Sequence, residues 1–232
     1  MSGSRGKPRP PRRAGVRRRP EDPAGRDTPT SPLRVVCLPG ASGDPSFWQG
    51  VGRRLPAEWE KRYLAWPGLG HQPPDERVAG FSDLVALAAA EVTVPSVIVA
   101  QSLGGIVAVE LALRFPDRVR RLVLAATSGG LDVAAFGATD WREGYLRSFP
   151  ETARWILAER SDLGAHFSRI AVPTLLLWGD ADPISPPAIG RHLATVIPGA
   201  RLHVLPGADH GFGNTMPDAV AERILRFVAH GA

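Results

Sequence analysis

The chain is poor in the features that staple or anchor a protein. Among 232 residues there is one cysteine, Cys37, so no internal disulfide can form and a disulfide-stapled secreted scaffold is excluded. No apolar run approaches the roughly 18 residues that a membrane span requires. Neither an acid-rich metal cluster nor a glycine-rich phosphate loop is apparent, so no cofactor and no metal are expected. Residues 1–32 have no aromatic side chain and no apolar stretch, so they are not expected to act as a secretory signal, even with Arg17, Arg18 and Arg19 together. What is present is a globular composition. Hydrophobic residues make up 44% of the chain and charged residues 22%, which excludes a wholly disordered polymer and suits one domain burying about 70% of its unfolded surface.

The formal net charge of +5 leaves open a nucleic-acid or anionic-membrane partner. Its distribution narrows that. Residues 1–32 hold nine basic side chains and three acidic ones, together with seven prolines and four glycines, and the remaining residues sum to −1. A segment so polar cannot offset its ordering entropy by burial, so residues 1–32 are expected to be a disordered basic tail. The ordinary reading is a solvated leader or an early start codon. Nucleic acid would engage only this tail, through binding that weakens steeply with salt.

From Leu33 the chain alternates. Strands are expected at Arg34–Leu38, Arg62–Trp66, Ser96–Ala100, Arg121–Ala126, Thr174–Trp178 and Arg201–Leu205, and helices near 46–55, 81–91, 103–115, 187–197 and 218–230. Runs such as Val97-Ile98-Val99-Ala100 and Leu175-Leu176-Leu177-Trp178 are apolar throughout, as strands buried on both faces are. Alternating strands and helices imply a parallel sheet with right-handed crossovers and helices on both faces. Ligands then bind beyond the carboxyl ends of the strands. One interval breaks the rhythm. Residues 128–173 are too long for one crossover helix and hold six of the sixteen aromatics, Phe136, Trp141, Tyr145, Phe149, Trp155 and Phe167. They are expected to form a small helical cap over that edge.

Three polar residues fall just after three expected strands. Ala100-Gln101-Ser102-Leu103-Gly104 is a small-x-Ser-x-Gly pattern between a buried strand and an apolar helix. A serine on so sharp a turn is thrust out above the sheet, and its neighbours two positions away must be small; an N-cap serine is the plainer alternative. The Leu103 N–H would face an oxyanion at the helix N-terminus. Serine needs a base. Of six histidines, His210 alone lies directly after the last strand; His71 also follows a strand end but reads as a loop residue. The orienting carboxylate is expected from Asp182, with Asp180 as the alternative, whereas Asp209 adjoins His210 and should point away. The spacings from Ser102 to Asp182 and on to His210 are 80 and 28 residues. A second oxyanion donor is expected from the loop Leu38-Pro39-Gly40-Ala41-Ser42-Gly43, at Ala41 N–H first and Ser42 second.

Here the chain resembles the α/β-hydrolase superfamily over nearly all of residues 33–232. The likeness is carried by Leu38-Pro39-Gly40 with Trp48 after it, Trp66-Pro67-Gly68-Leu69-Gly70, Ala100-Gln101-Ser102-Leu103-Gly104-Gly105, and the late Asp182 and His210. It departs from the family's common pattern at Pro39, at Trp66 and at Ala100, none of which removes a catalytic group. The resemblance implies Ser102 as nucleophile, His210 as base and Asp182 as acid. It implies a three-layer α/β fold with a minimal, mainly parallel six-stranded sheet, since the tail cannot supply the family's two further N-terminal strands. A serine nucleophile argues against epoxide hydrolases and haloalkane dehalogenases, which use aspartate. The expected activity is hydrolysis of a small or medium ester, lactone or thioester through an acyl-enzyme, with a small-molecule acyl substrate and water as partners. The alternatives are a cofactor-free perhydrolase or haloperoxidase, a carbon–carbon bond hydrolase, or a small-molecule receptor on the same fold. Ser42, Trp48, Gln101, Trp141, Tyr145 and Trp155 are the expected pocket residues, and the unpaired Cys37 suits a cytoplasmic protein.

Overall fold

The computed structural model describes Met1, Gly3 and residues 32–230, with the backbone alone at His230. The expected disordered tail lies outside the described residues except at Met1, Gly3 and Pro32. From Pro32 onward the elements are β1 (Arg34–Leu38), α1 (Gln49–Gly52), β2 (Glu60–Tyr63), α2 (Phe81–Glu91), β3 (Ser96–Gln101), α3 (Leu103–Arg114), β4 (Val119–Ala125), α4 (Arg142–Ser148), α5 (Trp155–Ala158), β5 (Thr174–Gly179), α6 (Pro187–Val196), β6 (Arg201–Leu205), α7 (Phe212–Thr215) and α8 (Pro217–His230). No helix among the described residues is long and apolar enough to cross a membrane.

The six strands form one sheet in the order β2-β1-β3-β4-β5-β6, and every pairing is parallel. Its side chains sort by the two-residue period of a strand. Val36, Leu38, Ile98, Ala100, Leu122, Leu124, Leu176 and Trp178 face one way, where α2, α3 and α6 bring Leu84, Val107, Leu111, Ile189 and Leu193. Val35, Cys37, Val97, Val99, Val123, Ala125, Leu175 and Leu177 face the other, where α1 and α8 bring Val51, Val220, Ile224 and Phe227. Burial on both sides explains why β3 and β5 read as unbroken apolar runs. The edge strands differ: β2 is Glu60-Lys61-Arg62-Tyr63 and β6 begins with Arg201, both partly exposed.

Strand order reverses between β1 and β3. The chain leaves β1 toward β2 on one side, and leaves β3 toward β4 on the other. Loops that diverge in this way open a crevice at the carboxyl edge, here between the loop after β1 and the turn after β3. Residues 128–173 carry the two short helices α4 and α5 and 3-10 turns at Ala134–Phe136 and Gly164–Arg169. They bond to loops at that edge: Thr139 N–H to Pro183 O at 2.8 Å and Ala153 N–H to Gly68 O at 2.7 Å.

Two expectations are corrected. The second strand was expected at 62–66, but it spans Glu60–Tyr63. After Leu64 N–H bonds Cys37 O, the chain leaves the ladder and Trp66 N–H bonds Gly43 O instead. The helix expected at 46–55 is a 3-10 turn at Pro45–Trp48, opened by Asp44 accepting Ser46 N–H at 2.8 Å, followed by the single turn of α1. Gly50 and Gly52 weaken any longer helix there, and a side chain at Gly52 would collide with Tyr63.

Cys37 lies in β1 with its thiol buried, and burial pushes its pKa from 9.0 up to about 12. A buried thiolate is disfavoured, so the folded state gains nothing from ionisation that the unfolded state enjoys. Stability is therefore unaffected by this group below pH 9 and falls as pH rises from 9 toward 12, by up to about 1.4 kcal/mol per pH unit. Urea midpoints measured from pH 7 to 11 are expected to fall more steeply for wild type than for Cys37→Ala.

Candidate active site

Ser102 sits between β3 and α3 with φ 51° and ψ −119°. A non-glycine residue in this region costs about 1–3 kcal/mol and persists only where its surroundings determine it. Here both sides of its backbone are held. Ser102 N–H bonds Ala125 O at 3.0 Å, extending the β3–β4 ladder. Ser102 O accepts from Thr127 Oγ1 at 2.6 Å and from Gly105 N–H at 2.9 Å. Thr127 reaches that position because Ala126, with φ 44°, ends β4 and turns the chain. The turn admits only small neighbours. A Cβ on Gly104 would collide with Pro39 O and lie 2.8 Å from Leu38 O, and one on Gly105 would run into Thr127.

The loop after β1 crosses beside Ser102. A Cβ on Gly40 would collide with Gln101 Oε1 and stand 3.2 Å from Ser102 Cβ. Two buried indoles hold the loop from below, Trp48 Nε1 donating to Leu38 O at 2.9 Å and Trp66 Nε1 to Pro39 O at 2.8 Å. Gly43 N–H bonds Gly40 O at 3.0 Å. Because C=O and N–H of a trans peptide point in opposite directions, this bond turns Ala41 N–H outward from the turn. Among the described residues no acceptor reaches Ala41 N–H. Leu103 is the first residue of α3, so its N–H has no intrahelical acceptor.

The loops after β5 and β6 are laced together. Ala181 N–H bonds Ala208 O at 3.0 Å, Gly207 N–H bonds Asp180 Oδ1 at 2.6 Å, and a side chain at Gly179 would collide with the Ala208 carbonyl. The lacing sets Asp182 beside His210. His210 Nδ1 donates to Asp182 Oδ2 at 2.7 Å, with the Asp182 side chain 0% exposed and that of His210 22% exposed. The other carboxylate oxygen, Oδ1, accepts Ile184 N–H at 2.8 Å and Ser185 N–H at 2.9 Å. A buried carboxylate is tolerated only with such partners. Gln101 Nε2 donates to His210 O at 3.3 Å, joining the histidine loop to the residue before Ser102.

Of the two aspartates weighed from sequence, it is Asp182 that meets His210, while Asp180 staples the β6 loop. Asp209 instead accepts Gly211 N–H at 2.9 Å. Trp48 is corrected as a pocket residue: it is 1% exposed and packs on the sheet face away from the cap aromatics. Gln101 is 4% exposed and acts as a tie between loops, and Ser42 Oγ accepts Asp44 N–H at 3.5 Å. Trp141, Tyr145 and Trp155 lie in the cap. Trp141 packs edge-on to Tyr145 with centroids 5.3 Å apart. Trp155 Nε1 is buried without a partner among the described residues. Sequence reasoning missed Thr127 and Thr152, whose roles are hydrogen bonds to residues far along the chain and leave no local pattern.

The chain belongs to the Alpha/beta hydrolase family, which it matches over residues 35–223, and it is a hydrolase of that fold. It is similar to a pimeloyl-(acyl-carrier protein) methyl ester esterase of Neisseria meningitidis serogroup B, 29% identical over 250 positions that span 88% of this chain and 95% of that protein. Among solved structures it is similar to a hydrolase from Pseudomonas aeruginosa PA01, with a TM-score of 0.70 at 24% identity over 85% of this chain and 90% of the other. The enol-lactonase from Burkholderia xenovorans LB400 gives a TM-score of 0.69 at 22% identity, covering 86% of this chain and 92% of that one. The two structures speak to the fold alone.

Gly104→Ala presses a methyl group onto backbone oxygens that cannot turn aside. It is expected to lower stability by about 1–3 kcal/mol, read as a shift in urea midpoint with an unchanged denaturant slope.

Proposed function

We propose that the chain is a serine carboxylic-ester hydrolase that acts on a small or medium acyl group through Ser102, His210 and Asp182. The observation that carries this reading is the 2.7 Å bond from His210 Nδ1 to the buried Asp182 carboxylate, at the sheet edge where Ser102 is held. That bond leaves Nε2 as the basic nitrogen. In this reading Nε2 takes the Ser102 proton as Oγ attacks the substrate carbonyl, and Asp182 stabilises the imidazolium that forms. The oxyanion is received by the N–H groups of Leu103 and Ala41. His210 then protonates the leaving alcohol, and water activated by the same nitrogen releases the acyl group from Ser102.

The curated relative cleaves a methyl ester, which favours an oxygen ester here. Lactones and thioesters differ only in the leaving group and fit the same steps. A cap of 46 residues in which Trp141 and Phe149 pack on Tyr145 suits a modest acyl chain rather than a long one.

Wild type is expected to hydrolyse a short-chain p-nitrophenyl ester and to be labelled by a fluorophosphonate. Ser102→Ala should lose labelling and on the order of 10⁴–10⁶ in kcat. A wild type that neither hydrolyses nor labels, or a variant that still does both, overturns the assignment.

A further inference from the structure

We infer that Tyr145, on cap helix α4, is a positioning residue that steadies the turn carrying the Ala41 N–H by holding the peptide that follows Ala41; the inference rests on the reading of Ser102 as nucleophile and Ala41 as oxyanion donor. The Tyr145 hydroxyl lies 2.7 Å from Ala41 O, 3.1 Å from Gly70 N and 2.8 Å from Thr152 Oγ1. Its single proton goes to the shorter and stronger acceptor, Ala41 O at 2.7 Å, because the other acceptor open to Thr152, Gly68 O, lies 3.5 Å from Thr152 Oγ1. A carbonyl can only accept and a backbone N–H can only donate, so Tyr145 donates to Ala41 O and accepts from Gly70. Thr152, 3% exposed, then supplies the third bond as a donor. The hydroxyl is fully satisfied, and it joins three segments remote in sequence: the turn after β1, the loop after β2 and the cap.

The consequence for Ala41 follows from peptide geometry. The peptide preceding it is fixed by Gly43 N–H on Gly40 O. The peptide following it is fixed by Tyr145 on Ala41 O. The first bond orients the peptide that carries the Ala41 N–H, and the second restrains the peptide after it, so that the turn resists rolling about the Ala41 Cα. Neighbouring contacts leave the turn no other seat. A side chain at Gly70 would collide with Ser42 O, and one at Gly43 would lie 2.8 Å from Trp66 O. Tyr145 is itself braced by Trp141 one turn before it and Phe149 one turn after, with ring centroids 5.3 and 5.0 Å away. The cap therefore reports its position to the oxyanion donor through one hydroxyl.

Tyr145→Phe removes that hydroxyl and keeps the ring packing. Deleting an oxyanion donor outright costs about 10²–10³ in kcat, so loosening one donor is expected to cost about tenfold. For p-nitrophenyl butyrate, kcat should fall about tenfold with KM within about twofold. Affinity for an alkyl boronic acid, whose tetrahedral adduct on Ser102 places an oxygen at the same N–H groups, should weaken by the same factor as kcat/KM. Thr152→Val should act in the same direction by about threefold, and the double variant should be no worse than Tyr145→Phe alone. Thr152→Val carries the test by itself if Tyr145→Phe does not fold. Unchanged kcat and boronate affinity, or a raised KM at constant kcat, overturn the positioning role. A wild type that neither turns over nor labels overturns the underlying hydrolase reading instead, which keeps the two failures apart.

Discussion

The backbone of Ser102 is held in a conformation that an L-residue avoids, and much of the neighbouring sequence exists to hold it there. Its N–H is taken by Ala125 and its carbonyl by the Thr127 hydroxyl and Gly105. Those bonds require β4 to end where it does, with Ala126 in the left-handed region. They require helix α3 to start flush against the end of β1 on one side and against Thr127 on the other, which is why positions 104 and 105 have no side chain. The strain is local, whereas the bonds that sustain it come from strand β4, the loop that follows it and helix α3. The sheet supplies the rigidity that lets one serine be presented at an unfavourable backbone angle.

A second constraint is the burial of a charge. Asp182 is a carboxylate with a side chain wholly removed from solvent, a costly arrangement without compensation. Two backbone N–H groups and the His210 ring answer it. Ser185, which gives one of those N–H groups, is in turn held by Trp178 Nε1 at 3.2 Å. The acid is thus built from the core outward: a buried strand residue fixes a loop serine, the loop fixes the carboxylate, and the carboxylate fixes the histidine. Removing any link leaves a buried polar atom without its partner, so these residues form one cooperative unit.

What could be read from sequence divides by the range of the interactions involved. β1 and β6 have the expected limits, and β3 and β5 run one residue further, because their apolar runs end at glycine, proline or the polar turn itself. Helix α2 likewise matches the expected 81–91. The placement of Ser102, Asp182 and His210 each after a strand was legible for the same reason, since strand ends are marked locally. The position of β2 was not, because its limit is set by Trp66 pairing with Gly43 rather than by its own composition. Trp48 looked like a pocket aromatic, yet its indole N–H is committed to a carbonyl beneath the loop. Nor does anything near Tyr145 in the chain announce a hydroxyl that meets residues 41 and 70. Tertiary hydrogen bonds made by single side chains are invisible to periodicity.

The open sheet has one more consequence. Six parallel strands that do not close into a barrel leave two flanks, β2 and β6, whose outer backbone groups are a template for any other extended chain. On β2 the flank is written in charge, Glu60, Lys61 and Arg62 in succession, with Glu60 already committed to Arg34 and Arg62. An incoming strand would have to strip water from that row before gaining a single ladder bond. The residues that look least useful to catalysis thereby make the β2 flank a poor template for edge-to-edge pairing with another chain.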